Sequence, residues 1–244
     1  MKLNNAVVLL TGASQGIGRA LALQLGQQGC RLLLVGRNAA ALASVAAECS
    51  GEPVLIAADL AEEAGIVRVV QAVKSYSGML DAVINNAGMQ QQLDLSSGQC
   101  VADFEQEIRI NLLAPAQLNT ALLPHLRKPG GVIANVTSLL ALHPKVSAPG
   151  YCASKAALRS YTLSLRKQME PMGIAVVEVI PPLVDTAMTA ARPLAKKMSA
   201  AAMAAVIVRG LQRDAHFIVP WSSRAPLVLN RFFPTLVANM MMRE

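Results

Sequence analysis

The sequence predicts an α/β fold: one doubly wound domain with a seven-stranded parallel sheet and helices on both faces. Three observations predict it. Short apolar, β-branched runs alternate with longer helical stretches from end to end, the pattern of strand–helix–strand units joined by right-handed crossovers. Most of the strand candidates are almost wholly apolar, as strands covered on both faces must be. No repeat, low-complexity tract or interdomain linker breaks the alternation. A chain of 244 residues is ample for a buried core.

The strands are expected at Ala6–Leu10, Arg31–Val35, Val54–Ala58, Ala82–Asn85, Gly131–Val136, Ile174–Ile180 and His216–Val219. Helices are expected at about Gly16–Gln28, Ala39–Ala47, Glu62–Tyr76, Val101–Leu126, Tyr151–Met172 and Ala195–Gln212. Gly/Pro clusters such as Pro129-Gly130-Gly131 and Pro181-Pro182 punctuate elements rather than divide domains. Residues 1–220 then form the domain, and 221–244 form an apolar and basic extension.

Composition narrows the function classes. Apolar residues make up 53% and charged residues 15%, which is globular and core-rich. No apolar run reaches the roughly 18 residues that cross a bilayer. The first five residues lead straight into a strand, so no signal peptide is expected. Cys30, Cys49, Cys100 and Cys152 are scattered without metal-ligand spacing, which fits reduced thiols in a cytoplasmic protein and no metal site. The charge of +7 suits an anionic small molecule. Nucleic acid is not an expected partner, because the basic residues are dispersed and aromatic residues for stacking are few.

Ligands of doubly wound sheets sit beyond the carboxyl ends of the strands. After the first strand comes Thr11-Gly12-Ala13-Ser14-Gln15-Gly16-Ile17-Gly18. Glycines there permit a tight turn and close approach of backbone N–H groups to a pyrophosphate. The helix opening near Gly16 adds its positive dipole end. The second strand ends at Gly36-Arg37-Asn38, about 20 residues beyond the glycines, where NAD-binding chains place an acid. The guanidinium of Arg37 favours the 2′-phosphate of NADP(H) over NAD(H), with Ser14 and Asn38 as further donors. After the third strand, Asp59 and Leu60 stand where an adenine would lie; Asp59 could equally cap the next helix. In Asn85-Asn86-Ala87-Gly88 the small residues let backbone lie against a cofactor, while the asparagines could tie strands together.

Tyr151 and Lys155 stand four residues apart, one helical turn, so phenol and ammonium share a face. A free phenol has a pKa of about 10, too high for proton exchange at neutral pH. A neighbouring cation lowers it, which makes Tyr151 a proton donor to a carbonyl oxygen. Ser138, just past the fifth strand, can hydrogen-bond the same oxygen. Reduced nicotinamide would supply the hydride.

With TGxxxGIG at Thr11–Gly18, NNAG at Asn85–Gly88 and the Ser138, Tyr151, Lys155 set, the chain resembles the short-chain dehydrogenase/reductase family over about residues 5 to 220. The resemblance implies a Rossmann-type fold, Asn111 as a member of a proton relay, Val184 and Thr186 at the nicotinamide carboxamide, and a homodimer or homotetramer through the long helices. One departure is Pro181-Pro182, where the family has Pro-Gly. The expected activity is NADP(H)-dependent interconversion of a carbonyl and an alcohol. The rival reading is a cofactor-binding sensor or scaffold, which has no need of the serine, tyrosine and lysine together.

Beyond the core motifs, Leu139–His143 suggests an apolar substrate wall, with His143 a lesser candidate for substrate contact. Met188 to Met198 is expected to cover the substrate. Its methionines suit a lipophilic carbonyl, and Arg192, Lys196 and Lys197 an acidic end. The 221–244 tail could cover the cleft, pack on a second subunit or lie in a membrane interface; the first two are preferred.

Overall fold

A computed structural model describes residues 1–76, 78–94, 96, 101–190 and 197–224. Strand β1 (Val7–Thr11) leads into α1 (Gly16–Gln27), β2 (Arg31–Gly36), α2 (Ala39–Glu48), β3 (Val54–Ala57), α3 (Glu63–Ser75) and β4 (Ala82–Asn85). The second half runs α4 (Val101–Ile108), α5 (Ala114–Leu122), β5 (Val132–Val136), α6 (Pro149–Met169) and β6 (Ala175–Val179). Then come β7 (Val184–Asp185), β8 (Met198–Ser199), α7 (Ala200–Gln212) and β9 (Phe217–Ile218). The main sheet has seven strands in the order β3-β2-β1-β4-β5-β6-β9, and every pairing is parallel.

Alternation along the strands splits the core into two layers. Val8, Leu10, Leu32 and Leu34 pack with Leu21 and Leu25 of α1, Leu42 of α2 and Ile207 of α7. Val7, Leu9, Leu33 and Val35 point the other way, onto Val69 of α3, Leu118 of α5 and Leu165 of α6. Both faces are covered, which is why these strands read as unbroken apolar runs. Leu9 and Leu10 are fully buried; truncating either to Ala removes about 2–5 kcal/mol.

Three elements differ from the sequence expectation by more than one residue at an end. The stretch expected as one helix over Val101–Leu126 is interrupted by a π turn at Arg109–Leu113. Pro115 has no N–H to give the Asn111 carbonyl, and the wider turn accommodates that gap. Helix α6 begins at Pro149, two residues before Tyr151, because proline suits a first helical turn. Helix α7 begins at Ala200, capped by Ser199. The chain before it forms the short parallel pair β7–β8, which is too brief to read from composition.

Candidate active site

In the sheet order, β1 and β4 are neighbours although α1 to α3 intervene in the chain. At the carboxyl end of this switch point lies a cleft of about 340 Å³. Gly12, Ser14, Gln15, Gly16, Ile17 and Gly18 line one end of it. Gly12 has φ of 66° and Gly16 of 56°, left-handed values that favour glycine. A Cβ on Gly12 would stand 2.7 Å from Ala87 Cα, and one on Gly18 would stand 2.0 Å from the Gly12 carbonyl oxygen. At the start of α1, Gln15 gives no side-chain cap, and the first turn holds no acidic residue. Its leading N–H groups therefore remain for an anion, and the turn fits a pyrophosphate.

Arg37, Asn38, Asp59 and Leu60 line the far end of the cleft. Arg37 is exposed. Asn38 Oδ1 accepts from the Ala41 N–H at 3.0 Å, so the side chain caps α2 as well as facing the cleft. Asp59 Oδ1 accepts from the Ala61 N–H at 2.9 Å. That bond closes a local turn; the N-cap of α3 is Glu62, not Asp59.

The asparagine motif divides by role. Asn85 is buried and donates to Asn119 Oδ1 at 2.9 Å and Asn135 Oδ1 at 2.8 Å, which ties β4 to β5 and α5. Asn86 Nδ2 donates to the carbonyls of Thr11 and Gly12, while Thr11 Oγ1 accepts from the N–H groups of Asn86 and Ala87. These bonds hold the β4 exit against the glycine turn. Asn86, Ala87 and Gly88 then line the cleft between the turn and Tyr151.

Tyr151 and Lys155 both line the cleft from the first turns of α6. Lys155 Nζ lies 5.8 Å from the Tyr151 ring centroid and donates to the Val136 carbonyl at 2.8 Å. Burial pushes the Lys155 pKa down to about 8. The ammonium form therefore still predominates at neutral pH. Ser138 lies next to the cleft-lining Thr137. Its Oγ accepts from the Leu140 N–H at 3.1 Å, which leaves the hydroxyl proton to donate.

Asn111 sits within the π turn, fully buried, and its side chain is wholly engaged. Oδ1 accepts from the Met89 N–H at 2.9 Å; Nδ2 donates to the Met89 carbonyl at 2.9 Å and Ser154 Oγ at 3.0 Å. Asn111, Ser138 and Val184, all buried, are not among the residues that line the cleft, whereas Thr186 is. Val184 is held by pairing with Met198.

Pro181, noted above as part of a departure from the family, lines the cleft, and so do Met89, Ile110, Val136, Thr137 and Ala187. The last five were not singled out in the sequence; the signal was adjacency, since most directly follow or precede a motif residue. Met188 lines the cleft as well, but Lys197 is held by the Thr189 carbonyl at 2.7 Å and lies 3.5 Å from Asp185. Arg192, Leu194 and Lys196 lie outside the described residues. His143 is 3% exposed and does not line the cleft; its Nε2 has no hydrogen-bond partner among the described residues. Of the tail, residues 221–224 are helical, with Trp221 82% exposed; 225–244 lie outside the described residues. Cys30, Cys49 and Cys152 are free thiols, and Cys100 lies outside the described residues. No helix among the described residues is long and apolar enough to cross a membrane.

Comparison with known proteins agrees with this architecture. The sequence profile of the family described as short chain dehydrogenase matches residues 6–197. The uncharacterized oxidoreductase DltE of Bacillus subtilis is 38% identical over 190 residues, covering 76% of this chain and 74% of that protein. An uncharacterized oxidoreductase of Staphylococcus epidermidis is 32% identical over 218 residues, covering 88% and 94%. Among solved structures, a short-chain dehydrogenase from Sphingobium yanoikuyae in complex with NADPH superposes with a TM-score of 0.82 at 26% identity, covering 95% of both chains. The Pseudomonas aeruginosa RhlG/NADP complex gives a TM-score of 0.82 at 28% identity, covering 90% of this chain and 96% of RhlG. The matched profile spans most of the chain, and the fold superposes on that of a short-chain dehydrogenase over 95% of both chains: this chain belongs to the short-chain dehydrogenase/reductase family of oxidoreductases.

Proposed function

We propose that this enzyme interconverts a lipophilic ketone or aldehyde and its alcohol, with NADP(H) preferred over NAD(H). The observation that carries the reading is that one cleft joins the glycine turn, Arg37 and the Tyr151–Lys155 pair. The relatives held with NADPH and NADP support the cofactor class. The uncapped start of α1 takes the pyrophosphate, and Arg37 with Ser14 and Asn38 takes the 2′-phosphate. Asp59 and Leu60 meet the adenine, and Val184 with Thr186 frames the carboxamide. When bound, the reduced nicotinamide supplies the hydride.

The chain's own groups supply position and the proton. Tyr151 gives its hydroxyl proton to the substrate oxygen. The ammonium of Lys155 stabilises the phenolate left behind. Ser138 donates its free proton to the same oxygen as negative charge develops there. Asn111 supports the relay through its backbone: its side chain is spent on Met89 and Ser154, and Pro115 leaves its carbonyl without the usual helical donor. Met89, Ile110 and Met188 give the substrate end an apolar wall. Residues 1–220 form the catalytic domain of a cytoplasmic homodimer or homotetramer. Apolar Phe104, Leu113 and Leu163 remain exposed on the helices that would meet.

A non-catalytic sensor is disfavoured by Lys155. A sensor has no reason to bury an ammonium at energetic cost beside a phenol. The test is NADPH oxidation across a panel of ketones and aldehydes by wild type and Tyr151→Phe. The reading expects turnover on bulky apolar carbonyls and a loss of at least about a hundredfold in the variant. Full activity of Tyr151→Phe on a true substrate would remove the mechanism.

A further inference from the structure

Asp103, Glu107 and Asn111 recur every four residues, so they share one face across α4 and the π turn. All three hold the segment that leaves the asparagine motif. Asp103 Oδ1 accepts from Gln91 Nε2 at 2.7 Å, Glu107 Oε1 from the Gln91 N–H at 2.6 Å, and Asn111 Oδ1 from the Met89 N–H at 2.9 Å. Met89 is itself part of the cleft wall.

Glu107 differs from the other two. It is 0% exposed, and its second oxygen, Oε2, is buried without a hydrogen-bond partner among the described residues. A buried carboxyl oxygen without a partner is costly. Burial and the nearby Asp103 push its pKa up, while the bond from Gln91 opposes that rise. A proton on Oε2 would remove the buried charge. The orphan oxygen lies against Gly150, the residue before Tyr151: a Cβ there would stand 2.2 Å from Glu107 Oε2, 3.0 Å from Phe104 Cδ2 and 3.1 Å from Leu93 Cδ1. The Leu93 N–H in turn donates to the Ser147 carbonyl at 3.2 Å. Three segments therefore meet at Glu107: the 89–93 segment that follows the wall residue Met89, the face of α4, and the first turn of the helix that carries Tyr151.

We propose that Glu107 is a positioning residue of the active site, setting the distance between the segment 89–93, which carries the wall residue Met89, and the start of the Tyr151 helix. It acts through Gln91 on one side and through contact with Gly150 on the other. The absence of a side chain at position 150 is part of the same device, because only glycine lets the carboxyl lie that close. The inference rests on the proposed carbonyl reductase reading, since it assigns the substrate to this wall.

The test compares Glu107→Leu, Glu107→Gln and Gly150→Ala in the full chain. Glu107→Leu removes the acceptor of the Gln91 N–H. Amide hydrogen exchange of the 89–93 peptide is then expected to quicken. kcat with a ketone substrate is expected to fall about tenfold to a hundredfold, while the NADPH dissociation constant stays within about twofold. Glu107→Gln keeps an acceptor for Gln91 and places a neutral group at Oε2, so it should recover most of both losses. If Glu107→Leu fails to fold, Gly150→Ala displaces the carboxyl without removing it. It should lower kcat in the same way, and Glu107→Ala combined with Gly150→Ala should relieve the collision. Wild-type exchange at 89–93 in Glu107→Leu, or in Gly150→Ala where the Glu107→Leu protein cannot be made, overturns the proposal. So does a loss of thermal stability with kcat unchanged. If wild type turns over no carbonyl at all, the functional reading fails, and the exchange measurement still decides the role of Glu107.

Discussion

Lys155 Nζ donates to the carbonyl of Val136, 2.8 Å away at the end of β5, and has almost no contact with solvent. One bond to a neutral carbonyl does not offset the loss of hydration, so burial lowers the lysine pKa from 10.5 to about 8. The unfolded chain then binds the proton more tightly than the folded one. The penalty is full below pH 8, shrinks between pH 8 and 10.5, and is absent above. Lys155→Met should therefore raise stability at pH 7, by up to about 3 kcal/mol, while abolishing turnover. Urea unfolding at pH 7 and pH 10 would show the gain at the lower pH and its decline at the higher. A variant less stable than wild type at pH 7 would contradict this account.

Arg37 is exposed at the rim. Its replacement by Ala should raise the KM for NADPH about tenfold or more and leave that for NADH nearly unchanged, since a charged hydrogen bond contributes about 1.5–3 kcal/mol. Steady-state kinetics with both cofactors decides it; equal changes in the two KM values would remove the assignment to the 2′-phosphate.

Gly18 has no positive φ; it is required by contact alone. A Cβ there would meet the Gly12 carbonyl at 2.0 Å and Asn86 Nδ2 at 2.6 Å. Gly18→Ala should push the turn off the exit of β4. The expected result is a loss of about 1–3 kcal/mol of stability and weaker NADPH binding, read by thermal denaturation with and without cofactor. Unaltered NADPH affinity would argue against the turn as the pyrophosphate cradle.

Glu178 on β6 is wholly buried; both its oxygens accept from Arg159 Nη1 at 2.8 Å, and Oε1 also accepts from Thr137 Oγ1 at 2.9 Å. Arg159 keeps a quarter of its side chain exposed. The pair should respond unequally to truncation. Arg159→Met strands a buried carboxylate and should be destabilising by about 3–5 kcal/mol. Glu178→Gln leaves an arginine that can reach water and should be milder. Chemical denaturation of both variants checks the order; a milder Arg159→Met would refute it.

The sheet was legible because its strands are buried on both faces. Val7 to Leu10 and Arg31 to Val35 are apolar at every inward position whichever layer they face, so composition alone marks them. The glycine turn was legible because backbone geometry and close approach restrict residue type at Gly12, Gly16 and Gly18. Tyr151 and Lys155 were legible because one helical turn of chain brings them together. Local constraints of this kind write themselves into residue identity and spacing.

Contacts between distant segments leave no such mark. Asn85 could have faced a cofactor or a neighbouring strand; only the pairing of β4 with β5 sets it against Asn135. Lys197 could have met a substrate, yet the fold commits it to Thr189 and Asp185. Asn111 keeps its motif position while its side chain is taken by Met89 and Ser154. Glu107, an ordinary polar residue in the chain, becomes a buried carboxyl against Gly150 only when α4 packs on α6. Sequence alone was enough for the layers, the glycine turn and the pairing of Tyr151 with Lys155 on one helical face, because each depends on backbone rules or near neighbours. Which polar groups face the cleft and which are used up in holding it was decided by tertiary packing, because burial and hydrogen-bond partners exist only once remote segments meet.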